Sequence, residues 1–217
     1  MVREAYHKDL HRLREEIFNM GNLAGKTIGD AVLSLKNRDV ELAQKVIDKD
    51  TEIDALDHSI EENCMRLLAL QQPMARDLRL IISVLKMSID LERIGDLSLE
   101  IAVITKMTAN VPPVKPLIDI PRMAETCQQM LANTMSAFEN KDVELAKQVA
   151  RRDDEIDALF DQIRRELISY MIEDPKKITG AQHLTFVARY LERIGDHITN
   201  LCESVVFMVT GERVELN

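Results

Sequence analysis

The sequence contains the same six residues twice, LERIGD at Leu91–Asp96 and LERIGD at Leu191–Asp196. A longer pair of segments also matches, DVELAQKVIDKDTEIDAL at Asp39–Leu56 and DVELAKQVARRDDEIDAL at Asp142–Leu159. The offset between copies is 100 residues for the first pair (191 − 91) and 103 for the second (142 − 39), a difference that one loop can absorb. Self-similarity at a fixed spacing predicts that the chain is an internal duplication.

A proline-rich segment separates the two copies. The stretch TANVPPVKPLIDIP at Thr108–Pro121 holds four of the six prolines of the chain. Proline lacks a backbone donor and disfavours helix in the residue before it, so this segment is predicted to be a linker. We therefore divide the chain into a first bundle over 1–107, a linker over 108–121 and a second bundle over 122–217.

The composition predicts helices throughout. Aromatic residues make up 4% of the chain and Trp is absent, while Leu, Ile, Met, Ala, Glu and Lys are plentiful. The predicted fold is all-α, two tandem three-helix bundles of six long helices, with Asn37 or Asp39 as the cap of the second helix. The helices are expected at Glu4–Leu35, about 39–70, about 73–107, Arg122–Phe138, Asp142–Ile172 and Ile178–Thr210.

Charge and cysteine content limit the possible partners. The formal net charge of −9 argues against nucleic acid, which needs clustered Lys and Arg, and is compatible with cations. Three separated cysteines without CxxC spacing suggest reduced thiols in the core of a cytosolic protein. The sequence shows neither a signal peptide nor the roughly 20 apolar residues of a membrane span, so a soluble, cytoplasmic protein is expected.

Acidic residues occupy an unexpected position on the third helix. At roughly 100° per residue, Asp96 lies about 40° from Glu92 on the helical wheel. Four apolar residues lie within about 20° of Glu92, so both acids are predicted to lie in the middle of an apolar stripe. These apolar residues are Ile81, Leu85, Leu99 and Val103.

The second helix carries acids at the edge of its own apolar stripe. Asp50 and Asp54 lie there, as does Asp57, and antiparallel packing would bring the first two against Glu92 and Asp96. The duplication repeats the four acids in the second half, where the LERIGD acids lie at the margin of the apolar stripe. The repeated acids are Asp153, Asp157, Glu192 and Asp196.

Four carboxylates on facing helices suit a cation. They supply up to about eight oxygens, the ligands preferred by Mg²⁺, Mn²⁺, Ca²⁺ or iron, whereas zinc favours His and Cys. Without a cation, like charges four residues apart weaken a helix. The alternatives are solvated acids or a network of ion pairs through Arg93 and Arg193.

Two longer segments carry a resemblance to a known family. QQPMARDLRLIISVLKMSIDLERIGD at Gln71–Asp96 and YLERIGDH at Tyr190–His197 resemble the PhoU family, regulators of bacterial and archaeal phosphate-specific transport. The resemblance implies two tandem three-helix bundles, a cytoplasmic protein, a homodimer and metal binding through paired E(D)xxxD motifs. These motifs match Asp50, Asp54, Glu92 and Asp96, and Asp153, Asp157, Glu192 and Asp196.

The sequence contains no Gly-rich phosphate loop, nucleophile elbow or Cys/His arrangement, which favours a regulator without catalysis. Members of the family are thought to repress the phosphate-starvation response by contacting the ATPase subunit of the phosphate ABC transporter and a PhoR-type sensor histidine kinase. The second half departs from the first, since Asp174–Asp196 lacks the DLR element and Asn200 stands where Glu100 stands in the first half. The two predicted metal sites are therefore expected to differ.

An enzyme is the alternative function. Carboxylate-bridged di-metal bundles of iron or manganese use Glu-x-x-His motifs. Glu4 and His7 have that spacing but lie far from the repeated acids, and neither His58 nor His197 is duplicated. Oxidase turnover by the iron-loaded protein would favour the enzyme, and an inert metal would favour the regulator.

Overall fold

Helices make up nearly the whole chain. The computed structural model describes residues 2–216, with the side chains of residues 6–216. No strand occurs in that part of the chain, and the all-α prediction is confirmed. The helices are α1 (Val2–Asn37), α2 (Val40–Gln71), α3 (Arg76–Thr108), α4 (Asp119–Asn140), α5 (Val143–Ala150), α6 (Asp153–Glu173) and α7 (Ile178–Thr210), with a short 3₁₀ turn at Pro175–Lys177.

The same aspartate cap starts the middle helix of each half. Asp39 Oδ1 accepts a hydrogen bond of 2.9 Å from the backbone N–H of Leu42. Asp142 Oδ1 accepts the equivalent bond of 3.0 Å from Leu145 N–H. An N-cap carboxylate satisfies one of the free amides of the first turn, so Asp39 rather than Asn37 is the cap.

The middle helix of the second half is interrupted. The prediction of one helix over Asp142–Ile172 is wrong in this respect, because α5 ends at Ala150 and α6 begins at Asp153. Acidic residues fill the first turn of α6, where the free amides and the helix dipole favour negative charge. The six predicted helices are therefore present, the fifth as two shorter helices.

The two halves pack against each other through antiparallel helices. On α3, Ser83 Oγ donates to the carbonyl of Ser204 at 3.0 Å, and Arg79 Nε donates to the carbonyl of Met208 at 3.3 Å. Residue numbers thus rise along α3 as they fall along α7. The interface of α3 with α7 places the two LERIGD motifs side by side at the centre of the molecule.

Glycines of α1 allow a second close contact between the halves. A Cβ on Gly21 would lie 2.7 Å from Met135 Sδ, and one on Gly29 would lie 2.5 Å from Gln128 Nε2. Gln128 Nε2 also donates to the carbonyl of Gly25 at 2.9 Å. The absence of side chains at these positions lets α4 approach the backbone of α1.

The proline-rich linker is held by helices of both halves. Arg38 at the end of α1 donates to the carbonyl of Val111 at 2.7 Å. Lys115, 8% exposed, pairs with Glu166 of α6 and lies 3.5 Å from Asp119 of α4. A buried ammonium needs such carboxylate partners, so these contacts fix the path of the linker.

The core contains all three cysteines. Cys64, Cys127 and Cys202 are buried free thiols, as the sequence predicts. None of the described helices is both long and apolar enough to cross a membrane.

Candidate metal-binding acid clusters

The first cluster of acids lies between α2 and α3, beside Gly95. A Cβ on Gly95 would lie 2.9 Å from Ile53 Cδ1 and 3.6 Å from Asp50 Oδ1. The glycine of the first LERIGD motif thus makes room for α2 and for a carboxylate. We call the surrounding residues the first acid cluster: Asp50, Asp54, Asp57, Glu92 and Asp96.

The acids of this cluster repel one another. Burial raises the pKa of Asp50 to about 6, and the charges of Asp54 and Asp96 contribute to that rise. Burial and the charge of Asp96 likewise raise the pKa of Glu92, and Arg93 only partly opposes this. The structure therefore brings together the four acids that the sequence places here.

The second cluster lies between α6 and α7. A Cβ on Gly195 would overlap Asp153 Oδ1 and lie 3.0 Å from Ile156 Cδ1, so Gly195 plays the part of Gly95. Asp153 is buried, with 4% of its surface exposed. The second acid cluster consists of the four predicted residues, Asp153, Asp157, Glu192 and Asp196.

Repulsion is also present in the second cluster. Burial and then the charge of Asp196 raise the pKa of Asp157. Burial and the charges of Asp196, Asp157 and Asp153 raise the pKa of Glu192, opposed by Arg189. Each half of the molecule thus holds its four predicted acids in one place.

Arginines neutralise part of each cluster. Arg93 Nη1 lies 2.8 Å from Asp96 Oδ2, and its Nε lies 3.4 Å from Glu92 Oε2. In the second cluster Arg189, three residues before Glu192, forms the ion pair. Arg193 forms no ion pair with Glu192 or Asp196 in the described part of the chain, and it lines a cleft between α3 and α7. Arg93 thus forms the ion pairs that the alternative of an arginine network predicts for the first cluster. In the second cluster Arg189 forms the ion pair instead of Arg193.

Several carboxylate oxygens are buried without a donor. Asp50 Oδ1, Asp57 Oδ1 and Glu192 Oε2 are inaccessible to solvent and have no hydrogen-bond partner among residues 6–216. Burying such an oxygen is costly unless a donor or cation compensates it. Carboxylate oxygens are ligands that hard cations prefer, so a cation is one group that could compensate them.

The side chains of the two clusters do not form a complete metal-binding site. No group of three or more His, Cys, Asp or Glu side chains within the described residues is arranged to hold a metal ion. The ion pairs that the structure shows at the clusters are made by Arg93 and Arg189. Metal binding by the eight predicted residues therefore remains a prediction.

The burial of Glu92 and Asp96 differs from what the helical wheel of α3 predicts. The Glu92 side chain is 23% exposed and that of Asp96 is 40% exposed. Of the four apolar residues of the predicted stripe, Ile81 is buried and the other three are partly exposed, so the stripe around the acids is only partly buried. Helix α3 contacts α1, α2 and α7, and it is apolar around most of its circumference. The acids lie at the margin of the core, facing α2. Glu192, with 12% of its side chain exposed, is more buried than Glu92, at 23%.

Asp57 is a member of the first cluster outside the predicted set. Its charge acts on Glu92, and its Oδ1 is buried without a partner among the described residues. Spacings of three residues from Asp54 and seven from Asp50 place it on the same face of α2. The duplication does not point to it because Phe160 occupies the equivalent position, 103 residues later.

The histidines near the motifs have other roles. His197 Nδ1 and Asp90 Oδ1 are hydrogen-bonded at 2.9 Å, and Asn200 Nδ2 donates to the same oxygen at 3.1 Å. These bonds join α7 to α3. His58 is exposed, and neither histidine forms an ion pair with a cluster acid in the described part of the chain. The Glu4 side chain lies outside the described residues.

The fold and the two clusters define a class of protein. It is an all-helical tandem repeat in which each half presents a carboxylate cluster between its second and third helices. Comparison with known proteins identifies the family. The sequence matches the PhoU domain over residues 17–105 and again over 120–205.

Relatives match over their full length. The chain is 37% identical to the phosphate-specific transport system accessory protein PhoU homolog of Clostridium acetobutylicum, covering 100% of both chains. It is 41% identical to the homolog of the same name from Aquifex aeolicus, covering 96% of this chain and 94% of that one. The chain belongs to the PhoU family.

Solved structures agree with this assignment. The crystal structure of PhoU from Pseudomonas aeruginosa superposes with a TM-score of 0.92 at 36% identity, covering 95% of this chain and 100% of that one. The phosphate transport system regulatory protein PhoU from Streptococcus pneumoniae gives 0.90 at 31% identity, covering 97% and 99%.

Proposed function

We propose that this protein is a regulatory accessory protein of phosphate transport. Relatives that carry the name of phosphate-specific transport system accessory protein match it over 100% and 96% of its length. A solved structure described as a phosphate transport system regulatory protein has the same fold. The regulation is negative: the protein limits phosphate uptake and represses the phosphate-starvation response when phosphate is sufficient.

The feature of the molecule that carries the proposal is the pair of acid clusters. Each lies between two helices at an equivalent position, and oxygens such as Asp50 Oδ1 and Glu192 Oε2 are buried without hydrogen-bond partners among the described residues. A cation such as Mg²⁺, Mn²⁺, Ca²⁺ or iron would supply positive charge there. The residues that would hold it are the eight predicted acids, with Asp57 added in the first cluster.

Neutralisation of the clusters would change both stiffness and charge. Burial is the main cause of the raised pKa of Asp50, and the charges of Asp54 on α2 and Asp96 on α3 add to it. Relief of the repulsion between these charges would hold α2 against α3 and α6 against α7. The charge on these four helices would become less negative, and a partner that docks on them would bind with a cation-dependent affinity.

The proposed partners are the ATPase subunit of the phosphate ABC transporter and a PhoR-type sensor histidine kinase. The proposal includes a cytoplasmic location, at the inner side of the membrane where the protein would meet these partners. No catalytic step is required of the protein, which acts by binding. The homodimer that the resemblance implies also belongs to this proposal, and sedimentation equilibrium measures it.

A pull-down tests the proposal. The purified protein is offered the ATPase subunit and the sensor kinase, with and without phosphate, and in Mn²⁺ or in chelator. We expect capture of at least one partner that depends on phosphate, and weaker capture in chelator. A charge-neutral variant, Glu92→Gln with Asp96→Asn, is the matched comparison. Equal capture of unrelated ATPases, or no capture under any condition, would contradict the proposed function.

A further inference from the structure

The segment that follows α7 folds back onto the face formed by α3 and α7. Gly211 ends α7 in the left-handed conformation, with a φ of 83°, and turns the chain. Beyond it Val214 and Leu216 pack against the core, whereas the residue before each of them is exposed. This alternation is that of an extended segment, whose side chains point to opposite sides in turn. We call residues 212–216 the C-terminal strap.

The strap lies in a cleft between α3 and α7. The backbone N–H of Leu216 donates to Glu203 Oε1 at 3.0 Å, and the Arg213 guanidinium lies 6.0 Å from the centroid of the Phe207 ring. Main-chain hydrogen bonds and pockets for alternate side chains are the means by which proteins hold an extended peptide. The α3–α7 face thus already holds one extended segment, supplied by the chain itself.

The internal repeat provides a second cleft between the same two helices. Asp90 and Asn200 line the cleft of the strap, and their equivalents 100 residues away, Tyr190 and Glu100, line a cleft of about 420 Å³. All the residues that line this second cleft belong to α3 or α7, and none belongs to the linker or the strap. Its volume is within the range of about 300–1,000 Å³ for ligand sites. We call it the open cleft.

Aromatic side chains form one side of the open cleft. The ring of Tyr190, which is partly buried, stacks with the ring of Phe186 at a centroid distance of 6.4 Å. Phe186 is 45% exposed. Aromatic side chains of this kind are enriched at protein interfaces, where they anchor a partner. The pair offers a surface on which an apolar side chain can lie.

The polar side chains of the open cleft suit a peptide backbone. Arg193 is exposed and has no ion pair among the described residues, so its guanidinium is available to a carbonyl or a carboxylate. Glu100 is exposed and can accept from an N–H, as Glu203 does from the strap. Arg93 also lines the cleft but is paired with Asp96 at 2.8 Å. Since arginines and acids balance, the cleft fits the mixed donors and acceptors of a peptide better than it fits a free anion.

We propose that the open cleft binds an extended segment of a partner protein that carries apolar side chains at alternate positions. The apolar side chains lie on Tyr190 and Phe186, and the backbone pairs with Arg193 and Glu100. An acidic side chain between the apolar ones, as Glu215 is in the strap, complements the charge of Arg193. The inference goes beyond the proposed function, because it requires neither a bound cation nor the two named partners.

A peptide with the sequence of the strap is the probe. Fluorescein-labelled VTGERVEL, the sequence of Val209–Leu216, is titrated with the full chain, and fluorescence anisotropy measures its binding. A comparison peptide has serine in place of its second valine and its leucine. Arg193→Glu and Phe186→Ser alter the open cleft at exposed positions, and Ile89→Ser alters the cleft of the strap as the matched control. Thermal unfolding reports whether each variant folds.

We expect saturable binding of the strap peptide. Arg193→Glu and Phe186→Ser should each weaken it by at least about fivefold, the loss expected for an anchor of an interface. The serine peptide should bind at least about tenfold more weakly, because it lacks the apolar side chains that the aromatic surface covers. Ile89→Ser should leave the affinity within about twofold.

Three outcomes would overturn the inference. Absence of saturable binding, or equal affinity in the unaltered protein and both variants of the open cleft, would exclude this site and leave the proposed function intact. Weaker binding in Ile89→Ser alone would show that the peptide displaces the strap instead. Self-association in sedimentation equilibrium that Arg193→Glu abolishes would assign the open cleft to a second copy of this chain rather than to a partner.

Discussion

The carboxylate of Asp153 on α6 lies directly against the backbone of Gly195 on α7, where a Cβ would overlap its Oδ1. In the first half the approach is looser, since a Cβ on Gly95 would lie 3.6 Å from Asp50 Oδ1 and 2.9 Å from Ile53 Cδ1. Each LERIGD glycine therefore gives its helix pair a close approach and a carboxylate a place at the contact. The cost of a mid-helix glycine, about 1 kcal/mol relative to alanine, is offset by this packing.

Gly195→Ala should destabilise the protein despite the better helix propensity of alanine. The added methyl displaces the Asp153 carboxylate and contacts Ile156, which costs a net of about 1–3 kcal/mol. Gly25→Ala is the matched control, because its Cβ would meet only Leu131 Cδ2, at 3.6 Å. That variant should be neutral or up to about 1 kcal/mol more stable. Urea unfolding measures the free energy of unfolding of both variants. Equal changes in the two variants would show that Gly195 has no special packing role.

Removal of charge from the LERIGD acids tests the clusters separately. Glu92→Gln with Asp96→Asn should lower the amount of Mn²⁺ bound at the first cluster, measured by plasma mass spectrometry. The equivalent double variant, Glu192→Gln with Asp196→Asn, should lower the amount bound at the second cluster. The amides keep the shape of the side chains and remove the negative charge that a hard cation needs. Glu52→Gln, at an exposed position of α2, serves as control. Unchanged metal content in both double variants would remove these acids as ligands.

Much of this fold follows from local signals in the sequence. Asp39 and Asp142 start equivalent helices because a carboxylate at the cap bonds a free amide, and that requirement is readable from one segment. The duplication predicts which acids meet. It also predicts that Gly95 and Gly195 have the same neighbours.

Other features depend on contacts that a single helix does not encode. Glu92 lies at the margin of the core because α3 packs against three helices, which a wheel of one helix does not show. Arg189 pairs with Glu192 where Arg193 was predicted, and its guanidinium lies 5.9 Å from the Phe160 ring of α6, a contact that the sequence of α7 alone does not show. The break between α5 and α6 is likewise invisible to the repeat, since the matching residues of α2 continue as one helix.

The cysteines should be unreactive in the folded protein. All three are fully buried, and burial raises the pKa of Cys64 to about 12, with Glu16 and Glu61 contributing. The reactive thiolate is therefore scarce at neutral pH and inaccessible. A colorimetric thiol reagent should label none of them in native protein and all three in urea. Rapid labelling without denaturant would show that the core opens locally.

Acidification should stabilise the metal-free protein. The folded pKa of Asp50, about 6, exceeds its usual 3.8, so the folded state holds this proton more tightly than the unfolded chain. The stabilisation from protonation is complete below the unfolded pKa and is lost as pH rises through 6. The raised pKa values of Glu92, Asp157 and Glu192 act in the same direction.

With chelator present, the melting temperature should therefore rise as pH falls from 7.5 to about 5.5. Asp50→Asn should raise the melting temperature at pH 7.5 and flatten this dependence, because the amide carries no charge at any pH. Asp48→Asn, at an exposed position of the same helix, should leave the dependence unchanged. A melting temperature that falls on mild acidification, in the unaltered protein and in Asp50→Asn alike, would show that repulsion within the first acid cluster does not limit stability.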